Sequence, residues 1–341
     1  MRFGPVPLDQ AEGAILAHSH PLPGGGRLGK GKRLEREDLA ALAAAGVAQV
    51  TVARLEPGDV HEDQAALALA RALVPDAQAA GLELQPVGTG RVNLLARGAG
   101  VAFVDAKKVH AVNAADPAIT LATVPEWRRM EAGGMVATVK IIAYAVPGAA
   151  LDRACAAGRG SAGRGALALR APVMARAVLI ETEVGQGGRH ADKGRRVMAA
   201  RLERLGVALA PPQRVAHDEA ALAVALAGAD KQAGLIMVLT GSATSDARDV
   251  APQALRLAGG RVAHFGMPVD PGNLLFIGDL AGRPVVGLPG CARSPVLNGA
   301  DWVIERLICG VGVDGAAIRR MGVGGLLKES PARPRPRRQK D

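Results

Sequence analysis

Short apolar segments alternate with amphipathic segments from residue 176 onward, and this alternation constrains the fold more than any other feature of the sequence. Apolar runs with strand character lie at residues 177–183, 207–209, 235–239, 262–265, 274–277 and 284–286. Segments with helical patterns lie at residues 192–205, 218–227, 250–257 and 295–309. Strands that alternate with helices build a mostly parallel sheet with helices on both faces. We therefore predict an α/β fold with a doubly wound, mostly parallel sheet over residues 176–310.

Smaller α+β and β-rich regions are predicted before this sheet. A chain of 341 residues is too long for one small core. We predict an N-terminal α+β region at residues 1–80, a β-rich middle domain at 81–150, a connection at 151–175 and a C-terminal segment at 311–341. Residues 328–341 contain six basic and two acidic residues with alternating Pro and Arg. That composition is typical of a disordered or extended tail.

Several classes of protein are disfavoured by composition. The sequence has no run of eighteen or more apolar residues and no signal-peptide pattern at its start, so we expect a cytoplasmic protein without a membrane partner. Cys155, Cys291 and Cys309 lie far apart, which predicts neither a disulfide framework nor a structural zinc site. The net charge is +10 but only 2% of residues are aromatic. We therefore predict no nucleic-acid partner, with a phosphate contact by the basic tail as the alternative.

A glycine-rich segment near the N-terminus offers a possible nucleotide site. Gly24 to Lys30 matches G-x-G-x-x-G and most of G-x-x-x-x-G-K. However, Gly31 stands where a Ser or Thr would hold Mg²⁺, and Pro21 and Pro23 precede the glycines where a strand should be. We interpret the segment as a flexible turn, with a nucleotide site as the alternative.

A small polar loop directly follows the apolar run 235–239 and is the first candidate binding site. Loops at the carboxyl ends of buried strands bind ligands in open α/β sheets. The loop residues with groups suited to an oxyanion are Thr240, Gly241, Ser242, Thr244, Ser245 and Arg248. Asp246 and Asp249 are predicted to hold Mg²⁺ against a phosphate. The alternative is that Asp249 only caps the helix that begins at Val250.

Three segments in this half of the chain resemble motifs of molybdopterin-binding domains from molybdenum-cofactor biosynthesis. Residues 240–252 resemble the signature TGGTGxxxRDVTP at identical spacing. Residues 266–273 resemble the AMKPGKP loop of the molybdopterin molybdenumtransferase family, and residues 287–292 resemble its GLPGNP loop. More weakly, residues 6–13 resemble the family's N-terminal VPLDEALG.

The resemblance implies a function and further site residues. It implies a protein that binds molybdopterin and acts as a Mg²⁺-dependent molybdenumtransferase or processes adenylyl-molybdopterin. Asp249 matches the acidic residue that the adenylyltransferase branch uses with magnesium, and with Asp246 it is the predicted catalytic pair. The resemblance adds these candidates for binding the cofactor: Pro271, Gly272, Asn273, Gly287, Leu288, Pro289, Gly290 and Ser294.

The sequence departs from the family motifs at charged and glycine positions. Ser242 and Thr244 replace two loop glycines, and Asp270 and Asn273 replace two lysines. Because losing two cations disfavours an anionic ligand, the alternative function is a non-catalytic molybdopterin-binding or hand-off protein. The chain also resembles modules found upstream of cytidylyltransferase-like domains that make the cytosine-dinucleotide cofactor. The expected partners are then a separate cytidylyltransferase and a molybdenum hydroxylase, and we expect a homo-oligomer.

Overall fold

The structure, a computed structural model, describes residues 1–159, 165–185 and 191–327, and the chain forms two compact units. The first unit contains Met1–Gly98 and Ala102–Leu169, and the second contains Ala99–Val101 and the chain from Arg170 onward. The predicted tail at residues 328–341 lies outside the described residues. The division of the chain into five segments stays a prediction.

The first unit is an α+β assembly of short sheets and four helices among its described residues, and it holds most of the strands at 100–104 and 167–170, whose residues 100, 101 and 170 belong to the second unit. Its strands are β1 (Arg2–Pro7), β2 (Ile15–Leu16), β3 (His20–Pro21), β4 (Arg27–Leu28), β5 (Gln49–Arg54), β6 (Asp59–His61), β7 (Leu82–Gly88), β8 (Arg91–Ala96), β9 (Gly100–Val104), β10 (Ile119–Thr123), β11 (Arg129–Met130), β12 (Met135–Ile141), β13 (Ala145–Pro147) and β14 (Leu167–Arg170). Its helices are α1 (Arg36–Ala44), α2 (Glu62–Leu73), α3 (Ala106–Asn113) and α4 (Gly148–Gly158). The largest sheet has the order β10-β12-β8-β7.

Two segments of this unit settle questions that the sequence left open. Helix α4 and strand β14 lie in the segment for which the composition predicted a connection. Their apolar residues Leu151, Ala154 and Leu167 are buried in the core of the unit, which stabilises regular structure there. The glycine-rich segment after Pro23 is a turn between β3 and β4, with φ of 91° at Gly24 and 92° at Gly25. A strand rather than a helix follows these glycines, which agrees with the turn and not with a nucleotide loop.

The second unit contains the predicted α/β domain. Its strands are β15 (Arg176–Glu183), β16 (Ala208–Leu209), β17 (Gln213–Ala216), β18 (Leu235–Leu239), β19 (Arg261–Phe265), β20 (Phe276–Leu280) and β21 (Arg283–Leu288). Its helices are α5 (Ala191–Glu203), α6 (Glu219–Ala227), α7 (Val250–Leu257), α8 (Gly299–Ile308) and α9 (Gly315–Arg319). Strand β17 and helix α9 were not predicted from the sequence, and no residue of β17 is buried.

These strands form one seven-stranded sheet within the described residues, in the order β16-β15-β18-β21-β20-β19, with β17 also paired to β15. Strand β15 is parallel to β16, β17 and β18, and β18 is parallel to β21. Strand β20 is antiparallel to both β21 and β19. The prediction of a doubly wound, mostly parallel sheet is confirmed, with an antiparallel strand near one edge.

Helices cover both faces of the sheet. Helices α6 and α7 pack on one face through a core that includes Ile180, Val238 and Phe276. Helix α5 lies on the opposite face, where Gly194 approaches Leu239 of β18. Burial on both faces explains why β18 is a continuous apolar run rather than an alternating one. Among the described residues, no helix is long and apolar enough to cross a membrane.

Candidate functional site

Loops that the sequence singled out meet at one edge of the sheet. Strands β15, β18 and β21 are parallel, and β19 points the same way because two antiparallel pairings separate it from β21. Their carboxyl ends therefore lead into residues 240–249, 266–275 and 289–298 on the same side. We call these the first, second and third loops. This is the edge at which open α/β sheets place their ligands.

The first loop is tethered to β15 through a hydroxyl that the sequence did not single out. The backbone N–H of Gly241 donates to Oγ1 of buried Thr182 at 2.9 Å, and that oxygen lies 2.8 Å from Nδ1 of His217. A Cβ at position 241 would lie 2.7 Å from the carbonyl oxygen of Thr182. The glycine is thus required for close packing of the loop against β15. Buried Thr240 and Thr244 also face each other, with their hydroxyl oxygens 3.4 Å apart.

The Asp249 carboxylate caps helix α7. Its Oδ1 accepts the N–H of Val250 at 2.7 Å, and its Oδ2 accepts the N–H of Ser245 at 2.9 Å. Asp246 likewise accepts the N–H of Arg248 at 2.8 Å through Oδ1. The helix-cap alternative is therefore present in the structure. The catalytic and metal roles of both carboxylates stay predictions, and neither role conflicts with the cap because a carboxylate offers about four acceptor positions.

Several predicted binding residues of the first loop are open to solvent. Ser242, Ser245, Asp246 and Arg248 are exposed, whereas the two threonine side chains are buried. The exposed group carries two hydroxyls, one carboxylate and one guanidinium. The hydroxyls and the guanidinium can donate to an anion from solvent, and the carboxylate can bind a cation.

The second loop is held by bonds among its own residues and to α8. The N–H of Gly299, the first residue of α8, donates to the carbonyl of Pro271 at 2.9 Å. A Cβ on Gly272 would lie 2.9 Å from the same nitrogen, and Asn273 Nδ2 donates to the carbonyl of Met267 at 3.3 Å. These predicted binding residues therefore have clear packing roles, and their contact with a ligand stays a prediction.

Strand β21, which leads into the third loop, ends with a glycine, which packs against an aromatic ring, and a buried leucine. A Cβ on Gly287 would lie 1.8 Å from Cε1 of Phe276, and Leu288 is buried. Farther along, Arg293 Nη2 donates to the carbonyl of Thr240 at 2.6 Å and so joins the third loop to the first. Burial lowers the pKa of Arg293, while the charge of Glu181 opposes that effect. A cation thus remains at an edge that lacks the family's two lysines.

A buried arginine fixes the shape of the third loop. Arg201 on α5 pairs with Asp301 of α8 through Nε, and both side chains are 8% exposed. The same guanidinium donates to the carbonyls of Ala292 at 2.7 Å, Ser294 at 2.8 Å and Val296 at 3.1 Å. Asp301 Oδ2 in turn accepts the N–H of Asn298 at 2.8 Å. Because Ser294 contributes its carbonyl to this cluster, its predicted contact with the cofactor would use the hydroxyl.

The carboxyl end of β15 carries a buried carboxylate, Glu181, that sequence reasoning missed. It is 3% exposed, and burial raises its pKa above the ordinary value of 4.5 against the opposing charges of Arg214, Arg195 and Arg293. It follows Ile180 within the apolar strand β15. An acidic residue inside an apolar strand was the signal in the sequence that could have indicated a buried carboxylate.

A consequence is a pH-dependent difference in stability between the wild type and Glu181→Gln. A raised folded-state pKa means that the folded protein holds the proton more tightly than the unfolded chain. This contribution to stability is present below pH 4.5 and is lost as the pH rises through the folded-state pKa. Urea unfolding from pH 4 upward should therefore show the wild type losing stability relative to Glu181→Gln. A difference that is constant with pH would contradict the raised pKa.

Comparisons with known proteins point to one family for the second unit. Residues 177–308 match the family model described as "Probable molybdopterin binding domain", and residues 5–54 match "Domain of unknown function (DUF8806)". No curated protein matches the chain.

Three solved structures show low-identity similarity to the chain. The molybdopterin biosynthesis moea protein from Pyrococcus horikosii is 14% identical, with 92% of this chain and 77% of that chain covered and a TM-score of 0.32. Molybdenum cofactor biosynthesis protein B is 13% identical, with 40% and 88% covered and a TM-score of 0.28. The protein CinA with unknown function from Thermoplasma acidophilum is 18% identical, with 35% and 90% covered and a TM-score of 0.24.

Proposed function

Because residues 177–308 form a domain of the molybdopterin-binding family of molybdenum-cofactor biosynthesis, we propose that the chain binds molybdopterin or its nucleotide form at the carboxyl edge of its seven-stranded sheet. One observation carries this proposal. The residues that match the family model form the seven-stranded sheet, and the three candidate loops lie at the same edge of that sheet. Mass analysis of small molecules released from the purified protein should detect a pterin. Protein that releases none, and that does not take up added molybdopterin, would contradict the proposal.

The residues suit a ligand with a phosphate at one end. Exposed Ser242, Ser245 and Arg248 supply donors in the first loop, and the neighbouring Arg293 adds positive charge. An arginine pairs with phosphate through two parallel hydrogen bonds. The buried tethers at Thr182 and Thr240 keep the loop in place before the ligand arrives, which lowers the entropic cost of binding.

The reaction that we propose is a Mg²⁺-dependent transfer, as a molybdenumtransferase or in processing of adenylyl-molybdopterin. Within the described ranges, no three His, Cys, Asp or Glu side chains cluster as a metal site. Mg²⁺ commonly uses one or two carboxylates together with phosphate oxygens and water, and Asp246 and Asp249 would supply that number. Bound Mg²⁺ would supply neutralisation of charge on the phosphate oxygens. The amides of Ser245 and Val250 hold the Asp249 carboxylate in a fixed orientation.

Asp249→Asn separates the catalytic role of this residue from its role as a helix cap. Asparagine caps helices as well as aspartate does, but its single oxygen keeps only one of the two amide bonds of Asp249, so the variant should stay folded and lose about 1 kcal/mol of stability. Loss of the charge should reduce cofactor production in a reconstituted extract by at least about ten-fold if the carboxylate serves the reaction. Asp218→Asn is the control for the loss of a capping charge in the same domain, because Asp218 caps α6 through Oδ1 alone, which accepts the N–H groups of Ala220 and Ala221.

The alternative function is a non-catalytic protein that binds molybdopterin and hands it on for cytosine-dinucleotide cofactor maturation. The observation that favours it is that Asp270 and Asn273 stand at the two lysine positions of the family's loop motif, which leaves less positive charge for an anionic ligand. It predicts that Asp249→Asn binds molybdopterin and supports cofactor production as the wild type does. A separate cytidylyltransferase and a molybdenum hydroxylase are the partners in that case. In both proposed functions the protein is cytoplasmic and forms a homo-oligomer.

A further inference from the structure

Glu181 has an oxygen for which the described part of the chain provides no hydrogen-bond donor. Its Oε2 is buried without a hydrogen-bond partner. The nearest cationic atom is Nε of Arg214 at 3.7 Å, which is too far for a hydrogen bond. An unsatisfied buried carboxylate is costly to a fold. A ligand that donates to such a group removes this cost, and a group of this kind in a native fold calls for a specific explanation.

The surrounding arginines do not complete this carboxylate. Arg214 pairs directly with Asp192 and also lies 3.9 Å from Glu183. Arg195 uses Nη2 to donate to the carbonyl of Ala210 at 2.6 Å, and its Nη1 is itself buried without a partner. Glu181 therefore has positive charge around it, but none of the described residues donates a hydrogen bond to its Oε2.

The position of Glu181 places it at the proposed ligand edge. In the sheet it lies opposite Leu239, the last residue of β18 before the first loop. Gly194 of α5 passes next to it, since a Cβ there would lie 3.4 Å from Glu181 Oε1 and 3.4 Å from Cγ of Arg293. Arg293 is the residue that joins the third loop to the first. The unpartnered carboxylate thus lies beside the junction of two loops that are proposed to hold the ligand.

We propose that Glu181 recognises the aminopyrimidine edge of the pterin ring, by accepting hydrogen bonds from the ring N3–H and the 2-amino group. This inference rests on the proposed function. The pterin edge presents two parallel N–H donors, and a carboxylate is the side chain that presents two parallel acceptors to them. Glu181 is then a specificity-determining residue that selects the amino-substituted ring, while the arginines and the first loop serve the phosphate end of the ligand.

Two fluorescent pteridines that differ at one substituent test this assignment. Pterin carries the 2-amino group, which can donate to the carboxylate. Lumazine carries a 2-oxo group at the same position, and this oxygen is an acceptor that cannot form a hydrogen bond with the carboxylate. Fluorescence titration of the full chain should show wild-type protein binding pterin about 10- to 100-fold more tightly than lumazine. Glu181→Gln should lose or invert this preference, because the glutamine amide can donate to the 2-oxo group. Glu183→Gln, two residues along the same strand, should keep the wild-type preference.

The outcomes separate this inference from the proposed function. If the wild type binds both pteridines equally, or if Glu181→Gln keeps the wild-type ratio, the assignment of Glu181 is wrong, while pterin binding stands. If neither pteridine nor molybdopterin binds, both proposals fail. Thermal melting of each variant shows whether it is folded, and we expect Glu181→Gln to be at least as stable as the wild type because it removes a buried charge.

Discussion

Replacing Arg201 by methionine is expected to lower the free energy of unfolding of the second unit by about 3–5 kcal/mol. The substitution leaves Asp301 buried without its cation, and it removes the donor to the carbonyls of Ala292, Ser294 and Val296. Breaking one side of a buried pair costs more than the pair contributes, because the remaining charge stays desolvated. Urea unfolding followed by circular dichroism measures the loss.

Two controls make the Arg201 result specific. Arg196→Met removes an exposed arginine from the same helix and should change stability by less than about 0.5 kcal/mol. Combining Arg201→Met with Asp301→Leu should recover part of the loss, since no unpaired charge remains. Equal losses for Arg196→Met and Arg201→Met would contradict the role of the buried cluster. Ligand affinity should fall with Arg201→Met as well, because the third loop loses its anchor.

Gly287→Ala should destabilise the domain by about 1–3 kcal/mol although it adds a single methyl group. The added Cβ would overlap the ring of Phe276, which is fully buried and cannot move into solvent. Phe276→Leu should relieve the overlap, so that the double variant is more stable than the sum of the two single losses implies. A double-mutant cycle by urea unfolding measures this coupling, and additive losses would contradict the contact.

A second glycine of the same motif provides the matched control. A Cβ on Gly290 would meet only Nη1 of Arg293, at 3.7 Å, which is an ordinary contact. Gly290→Ala should therefore leave stability nearly unchanged while it adds bulk at the ligand edge. If the third loop binds the cofactor there, ligand affinity falls for Gly290→Ala. The two variants thus separate a glycine needed for packing from one available for binding.

Local patterns were sufficient to predict most elements of the second unit. Strand β18 and helix α7 were predicted with their observed bounds. Apolar runs and capping residues are properties of neighbouring residues, so they can be read from a few consecutive positions. The molybdopterin-binding family followed from motif spacing and is confirmed by the match over residues 177–308.

Residues that act through distant partners could not be identified in this way. Arg201 appears in the sequence as one of several arginines in α5, and its partner Asp301 is 100 residues away. Thr182 and Gly241 are 59 residues apart. Gly287, the first glycine of the GLPG motif, packs against Phe276 in the neighbouring strand β20. Such contacts depend on strand order, which periodicity alone does not determine.

The sequence by itself determined the alternation of strands and helices, the family of the second unit and the polar loop after β18, because each of these depends on short-range pattern and spacing. Only the tertiary structure decided that the three loops share one sheet edge, that Asp249 already caps a helix, and that Glu181 is buried with an unsatisfied oxygen. Burial and hydrogen-bond satisfaction depend on residues brought together by the sheet, and the candidate ligand contacts depend on them too.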